Sequence, residues 1–283
     1  MHIVLEAAEG GVRATRLDDS DEVRFLEEFQ RGRLPSWLAE WETDAARWVW
    51  DDTARWYPDL LEAGVRVERC IDLRLCHAVL RRALATAATP LAIAEPNGWD
   101  RLEAQRPDDG GLFRMGDDGA ELDAVAEFRL QRQAISQASG GRLPLLLAAE
   151  SAGALIAAEL TFAGVPWRAD VHDRMLTGLL GPRPAAGMRP PRLAELLDRM
   201  RELFDVPDLN PDSPPELLRG LRRAGITVST TRSWELKRID HPGMAALLEY
   251  KKLSRLASAN GWQWLDSWVR DGRFSPVYVP GGV

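Results

Sequence analysis

The chain has 283 residues, enough for two modest hydrophobic cores, and its 45% hydrophobic content and net charge of −7 describe a globular protein. No apolar run approaches the length that spans a bilayer, and residues 1–6 lack the basic and apolar regions of a signal peptide. We therefore expect a cytoplasmic protein with no membrane partner. Cys70 and Cys76 have no second pair to complete a metal site, so buried free thiols are expected.

Charge is distributed unevenly along the chain. Residues 1–160 carry 18 basic and 29 acidic side chains, whereas residues 161–283 carry 18 and 14. All three lysines, Lys237, Lys251 and Lys252, lie in the second part. Because phosphate binding depends on local positive charge, the C-terminal part is the candidate for a nucleic-acid partner; chance variation in composition is the alternative.

The N-terminal part predicts an α/β domain, because strands alternate with helices. Strands are predicted at 2–5, 10–17, 47–50 and 65–71. Helices are predicted at 20–29, from a cap at Asp52 or Thr53 to a stop at Gly64, and at 73–84 after a cap at Asp72. Residues 95–121 are rich in Pro, Gly, Asp and Arg, which predicts a loop or disordered insertion.

Beyond residue 121 the chain predicts helices almost throughout, at 122–139, 145–163, 171–180 and 191–204. Ser213 and Glu216 have the spacing of a capping box, with Pro214 at the first helical position and Gly225 as the stop. A last long helix is predicted from His241 to residue 260.

One face of this last helix carries cations. On a helical wheel Lys251, Ser254, Arg255 and Ser258 share one arc opposite the apolar residues, with Lys252 at its edge. Stacked cations with short hydroxyl side chains match the spacing of phosphates along a nucleic-acid strand. A solvated helix face is the alternative explanation.

Two C-terminal motifs resemble the thumb of family A DNA polymerases, the DNA polymerase I group. Residues 210–217 read NPDSPPEL, similar to the family's N-x-x-S-P-x-x-L helix, and residues 248–258 read LEYKKLSRLAS, similar to its long basic helix. Weaker similarities lie at ELTFAGVPWR (159–168) and DGR (271–273), so that the resemblance covers about 145–283. It is closest to the bifunctional 3′–5′ exonuclease/DNA polymerases of high-GC bacteria.

The resemblance implies a division into residues 1–160 and 161–283, an all-α thumb in the second part, and duplex primer–template DNA as partner. By match, Lys251, Arg255 and Ser258 would contact phosphate, with Lys252 beside them; the family's further lysine is Ala257 here. It also implies that the palm and its Mg²⁺-dependent nucleotidyl transfer lie after Val283. We therefore expect a monomer that is an enzyme by family only, with no catalytic or metal-binding residue in this segment.

The first part would be a ribonuclease H-like (DnaQ-like) exonuclease domain, but a degenerate one. The family uses four carboxylates to hold two metals. No Asp-x-Glu pair lies on an early strand, Tyr57 stands where the third carboxylate is expected, and Leu147 to Ser151 lacks the fourth. Asp51, Asp52 and Glu150 are possible substitutes, with a cap or a solvated position as their alternative roles. We expect no nuclease activity.

The remaining candidates are structural. The four histidines are scattered without a serine or cysteine partner, and no glycine pair forms a phosphate loop. Tryptophans 262, 264 and 268 suggest core packing, with base stacking as the alternative. Two other functions stay open: a stand-alone, non-catalytic DNA-binding module, and an active exonuclease with relocated ligands.

Overall fold

The computed structural model describes residues 1–42, 46–102, 122–139 and 141–278. These residues form two compact units. Unit 1 comprises Met1–Gly164 together with the segment that begins at Ser275, and unit 2 comprises Val165–Phe274. Mixed α/β structure lies in unit 1 and helices dominate unit 2, as the sequence predicts at this coarse level.

Unit 1 is built on a five-stranded mixed sheet. Its strands are β1 (His2–Ala8), β2 (Gly11–Leu17), β3 (Val23–Phe29), β4 (Arg47–Trp50) and β5 (Cys70–Asp72). They are ordered β3-β2-β1-β4-β5; β2 runs antiparallel to both of its neighbours, and β1, β4 and β5 run parallel. Gly10 has a φ of +85°, so glycine fits the tight turn between β1 and β2.

Strand β3 corrects the sequence analysis, which predicts a helix at 20–29. The apolar spacing of Val23, Leu26 and Phe29 suits a helix face, yet Val23 and Leu26 are exposed and only Phe29 is buried. Pairing with β2 along the whole strand decides the conformation, and a cross-strand ion pair between Arg13 and Glu28 supports it.

The described residues of unit 1 contain six helices. They are α1 (Leu34–Glu42), α2 (Thr53–Glu62), α3 (Leu73–Arg82), α4 (Pro90–Ile93), α5 (Ala124–Gln137) and α6 (Leu143–Ala163), with 3-10 turns at Arg31–Arg33, Leu84–Thr86 and Trp99–Arg101. Asp52 and Asp72 cap α2 and α3 as predicted, because each carboxylate accepts a backbone amide of the first turn. The strand predicted at 65–71 is confined to Cys70–Asp72.

Alternation along the strands places a core on each face of the sheet. Trp48 and Trp50 of β4 pack on one side with Trp56 of α2, and Val49 packs on the other side with Phe128 of α5. All three tryptophans are fully buried, as predicted. The predicted insertion at 95–121 lies outside the described residues from 103 onward.

Helix α6 contradicts the expectation that no apolar run is long enough to span a bilayer. It has 21 residues, and an 18-residue window within it has a mean hydropathy of 1.6, so it could cross a membrane by length and composition alone. The core helix of a soluble protein passes the same test, and α6 packs on the sheet. Ser151 of α6 accepts the Asp72 amide at 3.1 Å, and Glu159 accepts the Tyr57 hydroxyl at 2.7 Å. These contacts join α6 to β5 and α2, while 33% of its apolar 18-residue window is buried.

Unit 2 contains six helices around one core. They are α7 (Ala169–Leu180), α8 (Pro191–Phe204), α9 (Pro214–Arg223), α10 (Ser233–Leu236), α11 (Gly243–Asn260) and α12 (Trp262–Trp268). The sequence analysis missed a small antiparallel sheet of β6 (Val165–Pro166), β7 (Val269–Arg270) and β8 (Arg273–Phe274), ordered β6-β8-β7. Two-residue strands give no readable periodicity, so the all-α prediction is wrong in this detail.

The predicted capping box does not form. Ser213 occupies the N-cap position of α9, but its side chain accepts no amide. Glu216 instead accepts a hydrogen bond from the Asn210 side-chain amide at 2.6 Å, so its carboxylate is engaged outside the helix. The helix stop is as predicted, because Gly225 adopts a φ of +78°.

Candidate nucleic-acid interface

Helix α11 is the element that positions the predicted DNA-binding residues. Its buried stripe, including Met244, Leu247, Tyr250 and Leu253, packs in the core of unit 2, mainly against α8. Gly243 allows the close approach of α8, since a Cβ there would lie 2.6 Å from the ring of Phe204. The opposite face of α11 is thereby fixed toward solvent.

Three of the four predicted residues share this outer face. Lys251 is half-buried, and Arg255 and Ser258 are exposed. Among the described residues no carboxylate oxygen lies within 4.0 Å of a side-chain nitrogen of Lys251 or Arg255. Ser258 donates to the Arg255 carbonyl at 3.2 Å, which leaves its oxygen lone pairs open to a donor. We call Lys251, Arg255 and Ser258 the α11 ridge.

Lys252 lies apart from the α11 ridge. It lines a surface pocket of about 620 Å³ between α7, α8 and α11, and Arg192, Glu195 and Glu249 line the same pocket. Arg192 already bridges the two carboxylates, at 3.3 Å to Glu195 and 2.8 Å to Glu249. Acidic neighbours offset the charge of Lys252, so this lysine is the weakest of the predicted phosphate contacts.

The two motifs that carry the family resemblance are joined by direct contacts. The hydroxyl of Tyr250, which is 1% exposed, donates to Asp212 at 2.8 Å. Asp212 also pairs with Arg189 at 2.7 Å, and its backbone amide is accepted by the Asn210 side chain at 3.1 Å. Burial, followed by the Asp212 hydrogen bond, raises the pKa of Tyr250, so the phenol stays protonated and donates. The segment before α9 is thus held to α11 by the hydrogen bond between Asp212 and Tyr250.

Tryptophans 262 and 264 pack in unit 2, as predicted for core residues. Trp262 is buried and donates to Asp173 at 2.7 Å. The ring of Trp264 lies 5.4 Å from that of Trp167 and 5.2 Å from that of Phe274. These contacts occupy the indole rings, whereas Trp268 remains 40% exposed.

Asp51, Asp52 and Asp72 of unit 1 are each engaged by other groups of the fold. Asp51 pairs with Arg55 at 2.7 Å and accepts the Trp56 indole, and Asp52 pairs with the buried Arg74 at 2.9 Å. Asp72 accepts backbone amides of the first turns of α2 and α3. No group of three or more metal-binding side chains occurs in the ranges that the structure describes. These aspartates serve as ion-pair partners and helix caps, and they lack the shared, open arrangement that two metal ions require.

Tyr57 occupies a packed position where the resemblance expects a third carboxylate. Its ring is fully buried, and its hydroxyl donates to Glu159 at 2.7 Å and accepts the Val67 amide at 3.2 Å. Burial and the Glu159 hydrogen bond raise the pKa of Tyr57. Glu150 lies half-buried on α6. Tyr57 is thus part of the core of unit 1.

Sequence reasoning missed a buried ionic network around His77. This side chain is 3% exposed and lies between Glu127, at 2.8 Å, and Asp100, at 3.4 Å. Arg81 pairs with Asp100, and Gln131 donates to Glu127 at 2.7 Å. Burial alone would lower the pKa of His77, but hydrogen bonding and charge from Glu127, then Asp100, raise it. The network joins α3, α5 and the 3-10 turn at Trp99–Arg101.

Both cysteines are buried free thiols, as expected. Burial raises the pKa of Cys76 to about 12, so the thiol stays protonated and unreactive.

Comparison of the chain with protein-family models and with curated proteins gives no match.

Proposed function

We propose that this chain is the N-terminal portion of a family A DNA polymerase and that unit 2 is its thumb, which binds duplex primer–template DNA. The observation that carries the proposal is the α11 ridge, where Lys251 and Arg255 stack one turn apart without ion-pair partners among the described residues. Some exposed arginines of unit 2, such as Arg174 and Arg223, are paired with carboxylates, whereas others have no ion-pair partner among the described residues. Cations left unpaired on a firmly packed helix favour an external anion.

The rigidity of the α11 ridge supports a role in positioning a duplex. Its helix is backed by the core of unit 2 and held to the preceding motif through Tyr250 and Asp212. A fixed row of two cations and a hydroxyl can contact successive phosphates without a large ordering cost on binding. The contacts fix register on the DNA backbone and carry no sequence preference.

Unit 1 is proposed to be an exonuclease-like domain of ribonuclease H-like fold without nuclease activity. The order β3-β2-β1-β4-β5, with β2 alone antiparallel to its neighbours in an otherwise parallel sheet, supports this assignment. The engagement of Asp51, Asp52 and Asp72 by cations and amides supports the loss of activity. Magnesium-dependent nucleotidyl transfer is a property of the proposed parent enzyme, and no residue of this segment is proposed to catalyse it.

Duplex binding tests the thumb assignment. We expect the wild type to retard primed duplex DNA in a gel-shift assay and the Lys251→Ala/Arg255→Ala variant to bind at least tenfold more weakly. A matched control is Arg174→Ala/Arg223→Ala, which removes the same charge from exposed arginines paired with Asp170 and Asp208. Equal affinities of the two double variants would refute the site.

A nuclease assay tests unit 1 separately. Incubation with manganese and a 3′-labelled single strand should leave the label intact, because Asp51, Asp52 and Asp72 are already engaged. Processive removal of nucleotides that the Asp51→Asn variant abolishes would instead support an active exonuclease with relocated ligands.

A further inference from the structure

A second set of unpaired cations of unit 2 lies on and directly after α10, on residues other than those assigned above. Backbone hydrogen bonds from Leu236 to Arg232, Lys237 to Ser233 and Ile239 to Leu236 continue this helical turn past its last residue. Residues three and four apart are neighbours on a helix, so Trp234, Lys237 and Arg238 share one side. Leu236 points the other way and is fully buried in the core of unit 2. We call Trp234, Lys237 and Arg238 the α10 patch.

Trp234 has the most exposed large aromatic ring of unit 2. Its side chain is 56% exposed, compared with 40% for Trp268, and no described ring or cation stacks on it. A single exposed apolar side chain needs no explanation by itself. Here, however, Lys237 and Arg238 lie one turn further along the same side, are exposed, and form no ion pair with a described carboxylate.

Glu235, the acidic residue within α10, forms no ion pair with Lys237 or Arg238. Glu235 accepts hydrogen bonds from the Ser229 amide at 2.7 Å and the Thr230 hydroxyl at 2.6 Å, among others. These bonds, from Thr230 first and then from Ser229, lower the pKa of Glu235 to about 2. Glu235 therefore stays ionised, and its hydrogen bonds fix the turn that precedes α10.

An exposed indole with two unpaired cations one helical turn away suits unpaired nucleotides. An aromatic side chain stacks on the face of a base, and this face is accessible only where the base is not already stacked in a duplex. The nearby cations then contact phosphates next to that base. We propose that the α10 patch binds a single-stranded stretch of DNA, with Trp234 stacked on one base and Lys237 and Arg238 on its phosphates.

This inference rests on the proposed function of unit 2 as a DNA-binding unit but uses different residues and a different form of DNA. Fluorescence anisotropy with a labelled oligo(dT) should show binding by the wild type and about tenfold weaker binding by Trp234→Ala, the loss of one stacked base. Trp234→Phe should recover part of the affinity. Lys237→Ala/Arg238→Ala should also weaken binding and reduce its salt dependence, compared with the control Arg174→Ala/Arg223→Ala.

A blunt duplex separates the two proposals. Trp234→Ala should bind it within about twofold of the wild type, because a blunt duplex offers no unstacked base to the indole. Lys251→Ala/Arg255→Ala should weaken duplex binding in the same assay. Unchanged oligo(dT) affinity of Trp234→Ala, or equal weakening on both DNAs, would overturn the role of the α10 patch while duplex binding still supports the α11 ridge. Circular dichroism of the variants checks that unit 2 stays folded.

Discussion

Replacing Lys251 and Arg255 by alanine removes the two cations of the α11 ridge, and the salt dependence of duplex binding should change by a calculable amount. Each phosphate contact contributes about −0.9 to the slope of log affinity against log salt on B-form DNA. Two lost contacts should therefore make the slope shallower by about 1.8. Over a fourfold rise in salt, the wild type should lose roughly 12-fold more affinity than the variant.

Anisotropy titrations of a labelled primed duplex at several salt concentrations measure this slope directly. The control Arg174→Ala/Arg223→Ala has the same net charge, but its lost cations are held by Asp170 and Asp208. We expect its slope to stay near that of the wild type. If both double variants show the same slope, long-range charge explains binding and the reasoning from unpaired cations on α11 is refuted.

Three further predictions concern the neighbouring structure. Lys252→Ala should weaken duplex binding less than Lys251→Ala in the gel shift, because acidic side chains line the surface pocket beside Lys252; equal losses would contradict this. Gly243→Ala should lower the free energy of unfolding by about 1–3 kcal/mol in urea, because its Cβ would lie 2.6 Å from the Phe204 ring; an unchanged midpoint would argue against this packing. Because the pKa of His77 is raised in the folded state, its protonation stabilises the fold fully at pH values below the ordinary histidine pKa of 6.5, and this contribution is lost as pH rises through the folded-state pKa. His77→Gln should therefore flatten the dependence of urea midpoints on pH above 6.5. An identical pH profile would exclude a role for the histidine charge.

The sequence predicts helices well where several local signals agree. Helix α8 occupies 191–204 as predicted, since Pro191 starts it, a strong apolar stripe follows, and Asp205 ends it in the left-handed conformation. Strand β3 shows the opposite case. Its apolar residues at intervals of three indicate a helix, but pairing with β2 is a non-local interaction that this spacing cannot contain.

The same distinction applies to the sites. A helical wheel suffices to place Lys251, Arg255 and Ser258 on one face, because their relation is local. Tyr250 and Asp212 are 38 residues apart, and His77 and Glu127 are 50 apart, so only the tertiary fold brings each pair into contact. Their residue types gave no signal at any fixed spacing.

Strands β6 and β8 pair with each other, and this has a consequence for engineering the protein. Val165 is the first residue of unit 2 and lies opposite Phe274, the last one. Paired residues of antiparallel strands are about 5 Å apart, so the excision points before Val165 and after Phe274 are neighbours. Residues 165–274 thus form a cassette with adjacent ends, suited to expression in isolation, to cyclisation by a short linker, or to transfer into a loop of another host protein.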